Sequence, residues 1–151
     1  MKIINYFTTD NKEYWLTKIS MCDWVAGKYL CELIRNDVFF DMAGQNSRLL
    51  LLVDGDELIS FCTLAGKDDI QPTELTPWMG FVYTFPEYRG HRYTEKLFEE
   101  IGKILRSEGL SKVYISTDHT GLYEKYGCTF MTEAKAVSGD DSRIYVKEYK
   151  Q

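Results

Sequence analysis

Ten consecutive residues, Phe85-Pro86-Glu87-Tyr88-Arg89-Gly90-His91-Arg92-Tyr93-Thr94, hold the densest grouping of chemistry-bearing side chains in the chain. Arg89 and Arg92 are permanent cations whose planar guanidinium groups pair with phosphate oxygens, and Gly90 lets the backbone approach an anion closely. A second grouping, Gly121-Leu122-Tyr123-Glu124-Lys125-Tyr126-Gly127-Cys128, offers two phenols with an ordinary pKa of about 10. Proton acceptors lie near both segments in Glu74, Glu87, Asp118 and His119, with Asp118 also suited to capping a helix and His119 one helical turn ahead of Tyr123. Anion binding and proton transfer are the chemistries these residues can supply.

The elements that must position them follow from periodicity and turn chemistry. Residues 78–85 read as a central strand. The best helical pattern of the chain comes next, with Tyr93, Leu97, Phe98, Ile101, Ile104 and Leu105 on one face and Gly109 placed to end it. The first grouping therefore sits where a strand feeds a helix, and a helix start presents unpaired N–H groups and the positive end of its dipole. A strand over residues 113–117 completes a unit of strand, helix and parallel strand, expected as a right-handed crossover. Upstream, a strand is expected at residues 3–7, then a helix capped by Asp10 with Glu13 at the capping-box position, then a helix over residues 20–35. Apolar runs at 49–53 and 58–64 flank Asp54-Gly55-Asp56 and predict an antiparallel hairpin. A short helix over 122–126 and strands near 129–136 and 143–149 close the chain. The fold class is mixed α+β, a mostly antiparallel central sheet with one parallel crossover and helices on both faces.

With 151 residues, 44% hydrophobic and 27% charged, the chain has the size and balance of one globular domain spanning residues 1–151. A formal net charge of -5 weighs against phosphate-driven nucleic-acid binding and suits a neutral or cationic substrate. No apolar stretch approaches the roughly 20 residues of a membrane helix, and the first residues lack an apolar signal core, so no membrane partner and a cytoplasmic residence are expected. Cys22, Cys31, Cys62 and Cys128 form no CxxC pair, sit among apolar neighbours and read as free thiols; with only His91 and His119 besides, no metal site is expected. Trp15, Trp24 and Trp78 are core candidates that could also wall a pocket.

Pro86-Glu87-Tyr88-Arg89-Gly90 ahead of a helix resembles the coenzyme A loop of the GNAT family of N-acetyltransferases, whose pattern is Q/R-x-x-G-x-G/A. Arg89 falls at the first position, Arg92 stands where glycine is usual, and Thr94 where glycine or alanine is usual. Backbone N–H groups bind pyrophosphate in such loops, so a side chain at Arg92 fits if it projects away, and the Thr94 hydroxyl adds a donor. Leu122, Tyr123, Glu124, Lys125 and Gly127 resemble the family's later segment, with Cys128 where phenylalanine is usual and Phe130 following. The resemblance implies acetyl-CoA as acyl donor, held by the main chain of Val82, Tyr83 and Thr84 and by Arg89, Gly90, His91, Arg92, Tyr93 and Thr94. It further implies direct transfer in a ternary complex to a small-molecule or peptide amine, with Tyr123 protonating the departing thiolate and Tyr126 in reserve. The alternative is a non-catalytic acyl-CoA binding or sensing module of the same fold, against which Tyr123 argues. A plain phosphate ligand at the helix start is disfavoured because no P-loop lysine and serine or threonine pair follows. Neither the acceptor nor the oligomeric state is readable.

Overall fold

The two apolar runs around Asp54-Gly55-Asp56 form a hairpin in the computed structural model, which describes residues 1–150. Its strands are β2 (Arg48–Asp54) and β3 (Glu57–Ala65). Nearly every residue of both strands is buried, as expected where both faces of a sheet are covered. Alternation sorts them: Leu49, Leu51 and Val53 pack into a core on one face, Leu50 and Leu52 into a core on the other.

The first core lies under α1 (Lys12–Ser20), α2 (Val25–Arg35) and α3 (Phe39–Ala43). The second lies under α4 (Thr94–Ser107), which inserts Leu97, Phe98, Ile101 and Leu105. Burying four such side chains contributes gross stabilisation on the order of 6–12 kcal/mol, before the entropy of ordering them is subtracted. α4 stops where expected: Gly109 has φ +72° and Leu110 N–H donates to Leu105 C=O at 2.8 Å, closing the last turn.

The remaining strands are β1 (Lys2–Asn5), β4 (Trp78–Thr84), β5 (Lys112–Thr117), β6 (Thr129–Lys135) and β7 (Asp141–Glu148). They complete one seven-stranded sheet in the order β1-β2-β3-β4-β5-β7-β6. Every neighbouring pair is antiparallel except β4 with β5, the pair joined through α4. The mixed α+β class with one parallel crossover is therefore present. No helix among the described residues is long and apolar enough to cross a membrane.

The N-terminal third differs from the sequence expectation. The first strand ends at Asn5, and Tyr6–Thr8 form a 3-10 turn capped by the Asn5 side chain. Asp10 does not cap α1: Asn11 occupies that position without a side-chain cap, and Glu13 reaches Arg35 instead of the helix start. The helix expected over residues 20–35 begins only at Val25, because α1 runs through Ser20 and the chain opens at Met21–Trp24. There the Cys22 thiol reaches the Trp24 carbonyl, and Asp23 accepts a hydrogen bond from Tyr83 on β4. A tertiary bond to a residue sixty positions away thus overrides an apolar spacing that would have continued a helix. α3 carries too few residues for periodicity to reveal it.

Candidate functional site

β4 and β5 begin side by side and then part. Their single paired position is Trp78 with Tyr114, and beyond it β4 has no partner on that side. Two features hold the strands apart. On β4 a bulge sets Phe81 and Val82 opposite Cys62, with Phe81 in the left-handed region at φ +48°. The far end of β4 also turns its polar backbone into the gap: Phe85 N–H donates to Ile59 of β3, and the Thr84 carbonyl, facing the other way, accepts from Arg89 Nε at 2.9 Å. The two-residue period of a strand sends the N–H and C=O of Val82 in the same direction as those of Thr84.

The gap is a cavity of about 560 Å³. Its walls include Tyr83 and Trp24 from the core under α2 and Tyr123 and Val82 from the core under α4, so it passes through the sheet. Of the residues singled out in the sequence, Val82, Tyr83, Thr84, Arg89, Thr94 and Tyr123 line it. Gly90, His91, Arg92 and Tyr93 lie in the loop leading to α4 and do not wall the cavity itself.

That loop has a specific property. Among the described residues, the backbone N–H groups of Gly90, His91, Arg92, Tyr93 and Thr94 donate to no protein acceptor, whereas those of Glu95 and Lys96 bond to Arg92 and Tyr93 at 3.1 and 3.0 Å. Arg92 is in the left-handed region at φ +57° and Tyr93 in the right-handed helical region at φ -65°. That alternation turns consecutive N–H groups into one concavity suited to anions. The helix dipole of α4 adds a fixed positive potential.

The side chains of the loop divide their labour differently from the sequence expectation. Arg89 is already bonded to Thr84 and lies over the Tyr83 ring at 5.4 Å. Arg92 projects away from the concavity. Its Nη2 donates to the Lys125 carbonyl at 2.9 Å, its guanidinium lies 5.0 Å from the centre of the Tyr126 ring, and its Nε reaches Glu95 at 3.4 Å. The left-handed backbone costs a residue with a side chain about 1–2 kcal/mol. A charge-assisted hydrogen bond contributes about 1.5–3 kcal/mol, with the lower end applying to a half-exposed group such as this, so the contact offsets the strain. Arg92 thus stands at a left-handed position, where glycine costs nothing, and uses its side chain to join the two sequence groupings. His91 is exposed and packs against Tyr93.

The second grouping forms a 3-10 turn, Tyr123–Tyr126, ended by Gly127 at φ +85°. Tyr123 is 6% exposed, yet among the described residues its hydroxyl has no hydrogen-bond partner, and the residue lines the cavity. Burial, reinforced by Cys62 and Cys128 nearby, pushes this phenol well above its ordinary value, so it holds its proton across the physiological range. Tyr126 is half-buried, stacks on Phe98 at 5.5 Å and also lines the cavity.

Of the four proton acceptors noted in the sequence, only His119 lines the cavity, while Glu74, Glu87 and Asp118 do not. The helical turn that would have aligned His119 with Tyr123 is absent, because Gly121 at φ +82° separates them, and Asp118 caps no helix. Asp23 went unrecognised as a site residue; of the three tryptophans that could wall a pocket, Trp24 lines this one. Asp23 accepts from the Tyr83 hydroxyl at 2.7 Å, a bond that lowers its carboxyl below the usual range, and Trp24 stacks on the Tyr83 ring at 5.5 Å with 8° between planes. Aspartate between two helical patterns was the signal available for the break, but nothing local names Tyr83 as its partner.

Comparison with known proteins adds to this geometry. The family model described as Acetyltransferase (GNAT) family matches residues 12–128. Among solved structures, the aminoglycoside 6'-N-acetyltransferase from Enterococcus faecium superposes with a TM-score of 0.70 at 15% identity, covering 100% of this chain and 98% of that one. A GNAT family acetyltransferase from Elizabethkingia anophelis with acetyl-CoA bound gives 0.66 at 14% identity over 97% of both chains. The PaiA N-acetyltransferase from Thermoplasma acidophilum in complex with coenzyme A gives 0.65 at 15% identity, covering 99% of this chain and 100% of that one. A search of curated proteins returned no sequence match. At these identities the structural likeness speaks for the fold.

Proposed function

Because the chain belongs to the GNAT acetyltransferase family, we propose that it transfers an acetyl group from acetyl-CoA to an amine, by direct attack with both substrates bound. The observation that carries this reading is the cavity through the parted strands, with Tyr123 in its wall and five unengaged N–H groups in the loop from Gly90 to Thr94, the last of which lines it. The residues fit the donor: the concavity of Gly90 to Thr94 suits a pyrophosphate, and the unpaired edge of β4 suits the amide-bearing pantetheine arm. Neighbours of the same fold that bind acetyl-CoA or coenzyme A support it.

The acetyl thioester supplies an activated carbonyl, and the chain's own groups act around it. Val82 presents its N–H toward the gap, where an oxygen gaining negative charge is stabilised by a donor fixed in advance. Tyr123 holds a proton for the departing sulfur. Its raised proton affinity remains matched to that task, since the desolvation that raises a phenol also raises a thiol, as it does at neighbouring Cys62. Arg89 sits between the β4 edge and the loop and gains a phosphate partner without losing the Tyr83 ring. The activity resides in one domain, and four buried unpaired cysteines support a reducing, cytoplasmic setting.

Acetyl-CoA at about 100 times its dissociation constant is expected to add roughly 2.7 kcal/mol to stability, read as a rise in melting temperature. Thiol release on adding a competent amine then separates an enzyme from a module that only binds the donor. No thermal response at millimolar acetyl-CoA, with the protein folded, sinks the reading.

A further inference from the structure

A second cavity of about 440 Å³ opens on the α2 face of the sheet, and Trp24 lines both cavities. Its walls are largely aromatic and aliphatic, with Trp24, Tyr29, Leu33, Phe39 and Phe81 among them. Charged groups enter from the loop after β3, where Lys67, Asp68 and Asp69 follow one another. The two cavities meet at the bulge of β4: Phe81 lines this one and Val82 the other.

Asp68 is held in a defined place. A Cβ built on Gly80 would lie 2.5 Å from Asp68 Oδ1 and 3.1 Å from Thr63 Oγ1, so the carboxyl rests directly on the glycine of β4 that precedes the bulge. A side chain at position 80 would evict it. Burial, then the hydrogen bond and charge of Asp69, raise the Asp68 carboxyl well above the usual carboxylate range. A half-buried carboxyl held beside a second, exposed one is relieved by a cation next to it. Thr63 and Ser116 offer hydroxyl partners beside the charged loop, but most of the lining is aromatic or aliphatic, and hydroxyl groups buried there without hydrogen bonds are costly. Size, walls and charge together select among cations, because a polyhydroxylated amino sugar would strip its hydroxyls of water against Leu33, Phe39 and Phe81.

We propose that this cavity is the acceptor site and that it takes a small primary amine on a flat apolar body, an arylalkylamine, with its ammonium group at Asp68 and its ring against Trp24 and Phe81. The inference rests on the acetyl-transfer reading and names its substrate class. At Asp68 the amine loses its proton: an N–H bond of the ammonium breaks, an O–H bond forms on the carboxylate, and nitrogen keeps the electron pair with which it attacks. The neutral amine then lies beside the Phe81–Val82 step, facing the thioester carbonyl across the sheet. As the adduct collapses and the C–S bond breaks, nitrogen gives up its second N–H proton, which restores the one that Tyr123 gives to sulfur, and solvent takes the first proton from Asp68 after product leaves.

Two measurements on the full chain test it. Thiol release from acetyl-CoA is compared for 2-phenylethylamine, spermidine, a kanamycin-type aminoglycoside and a lysine-containing peptide. 2-Phenylethylamine is expected to give at least a tenfold higher kcat/KM than the others; equal or better turnover of any of them overturns the assignment. Binding of 2-phenylethylamine to the protein, with and without coenzyme A, is read separately, by tryptophan fluorescence and calorimetry. Binding is expected in the parent, weakened at least tenfold in Asp68→Asn and in Gly80→Ala, with the thermal response to acetyl-CoA intact in both. Absence of binding at millimolar amine, or unchanged binding in Asp68→Asn, overturns the inference. Because the amine is measured directly, these outcomes stand whether or not acetyl-CoA proves to be the donor, whose failure would show instead as a missing thermal response.

Discussion

In the roles proposed for them, the two cavities recognise their occupants by opposite means. On the donor side the work falls to main-chain groups, the N–H donors of Gly90 to Thr94 and of Val82, fixed by a loop, a helix start and a bulge. On the proposed acceptor side it falls to side chains drawn from α2, α3, the loop after β3 and β4, stretches that lie far apart in the sequence. Backbone recognition tolerates a change of side chain and leaves a short local pattern. Side-chain recognition changes with every substitution and leaves none. The chain shares its fold with structures to which it is 14–15% identical, and a shared fold does not by itself name an acceptor.

The sharpest way to break this contrast is at Tyr123, the one donor-side position where a side chain is assigned the chemistry. Tyr123→Phe keeps the ring and removes the hydroxyl. We expect kcat to fall by about 10² to 10⁴ with the thermal response to acetyl-CoA unchanged, the pattern of an interaction made only in the transition state. Turnover like the parent, in both this variant and Tyr126→Phe, returns the proton to water.

A smaller effect is expected at Arg89, whose guanidinium supplements the backbone cradle. Arg89→Ala should weaken acetyl-CoA by about 1.5–3 kcal/mol, or roughly 10- to 150-fold, as measured by calorimetry. If the loss persists with dephospho-coenzyme A, Arg89 serves the pyrophosphate; a loss confined to intact coenzyme A assigns it to the 3′-phosphate. A loss much larger than this would mean that the backbone donors contribute little, which would erase the difference between the two sides.

The smallest effect concerns stability. Asp68 has a folded-state proton affinity above its unfolded one, so the folded protein binds the proton more tightly and parent stability falls as pH rises from the unfolded pKa, near 3.9, through the raised folded value. Asp68→Asn removes that penalty. The variant should melt at a higher temperature than the parent at pH 7.5, with the gap closing as pH is lowered toward 4. An acceptor site that stabilised the fold would show the reverse, a lower melting temperature in the variant.

How much could be read from sequence follows the same divide. The β2/β3 hairpin and α4 were legible because unbroken apolar runs and a 3.6-residue period are enforced by cores on both faces of the sheet. The donor loop was legible because glycine, arginine and a following helix lie within ten residues. The break between α1 and α2 was not, since it depends on Asp23 meeting Tyr83. Nor was Asp68, one of 23 acidic residues, whose importance comes from resting on Gly80. The insertion of β7 between β5 and β6 also lay beyond local pattern, because strand order is decided by which edges remain open once earlier strands have paired.

Arg92 has a consequence of its own. Because its backbone helps shape the anion concavity while its guanidinium grips Lys125 and the Tyr126 ring, the phosphate cradle and the turn that carries Tyr123 are linked in one equilibrium. Whatever free energy a diphosphate spends in settling the loop is shared with the placement of the phenol more than thirty residues on, and by reciprocity a disturbed turn loosens the grip on phosphate. On the function proposed, a short thioester that lacks the diphosphate therefore meets Tyr123 less firmly set. Discrimination against such thioesters would then arise in the chemical step as well as in binding.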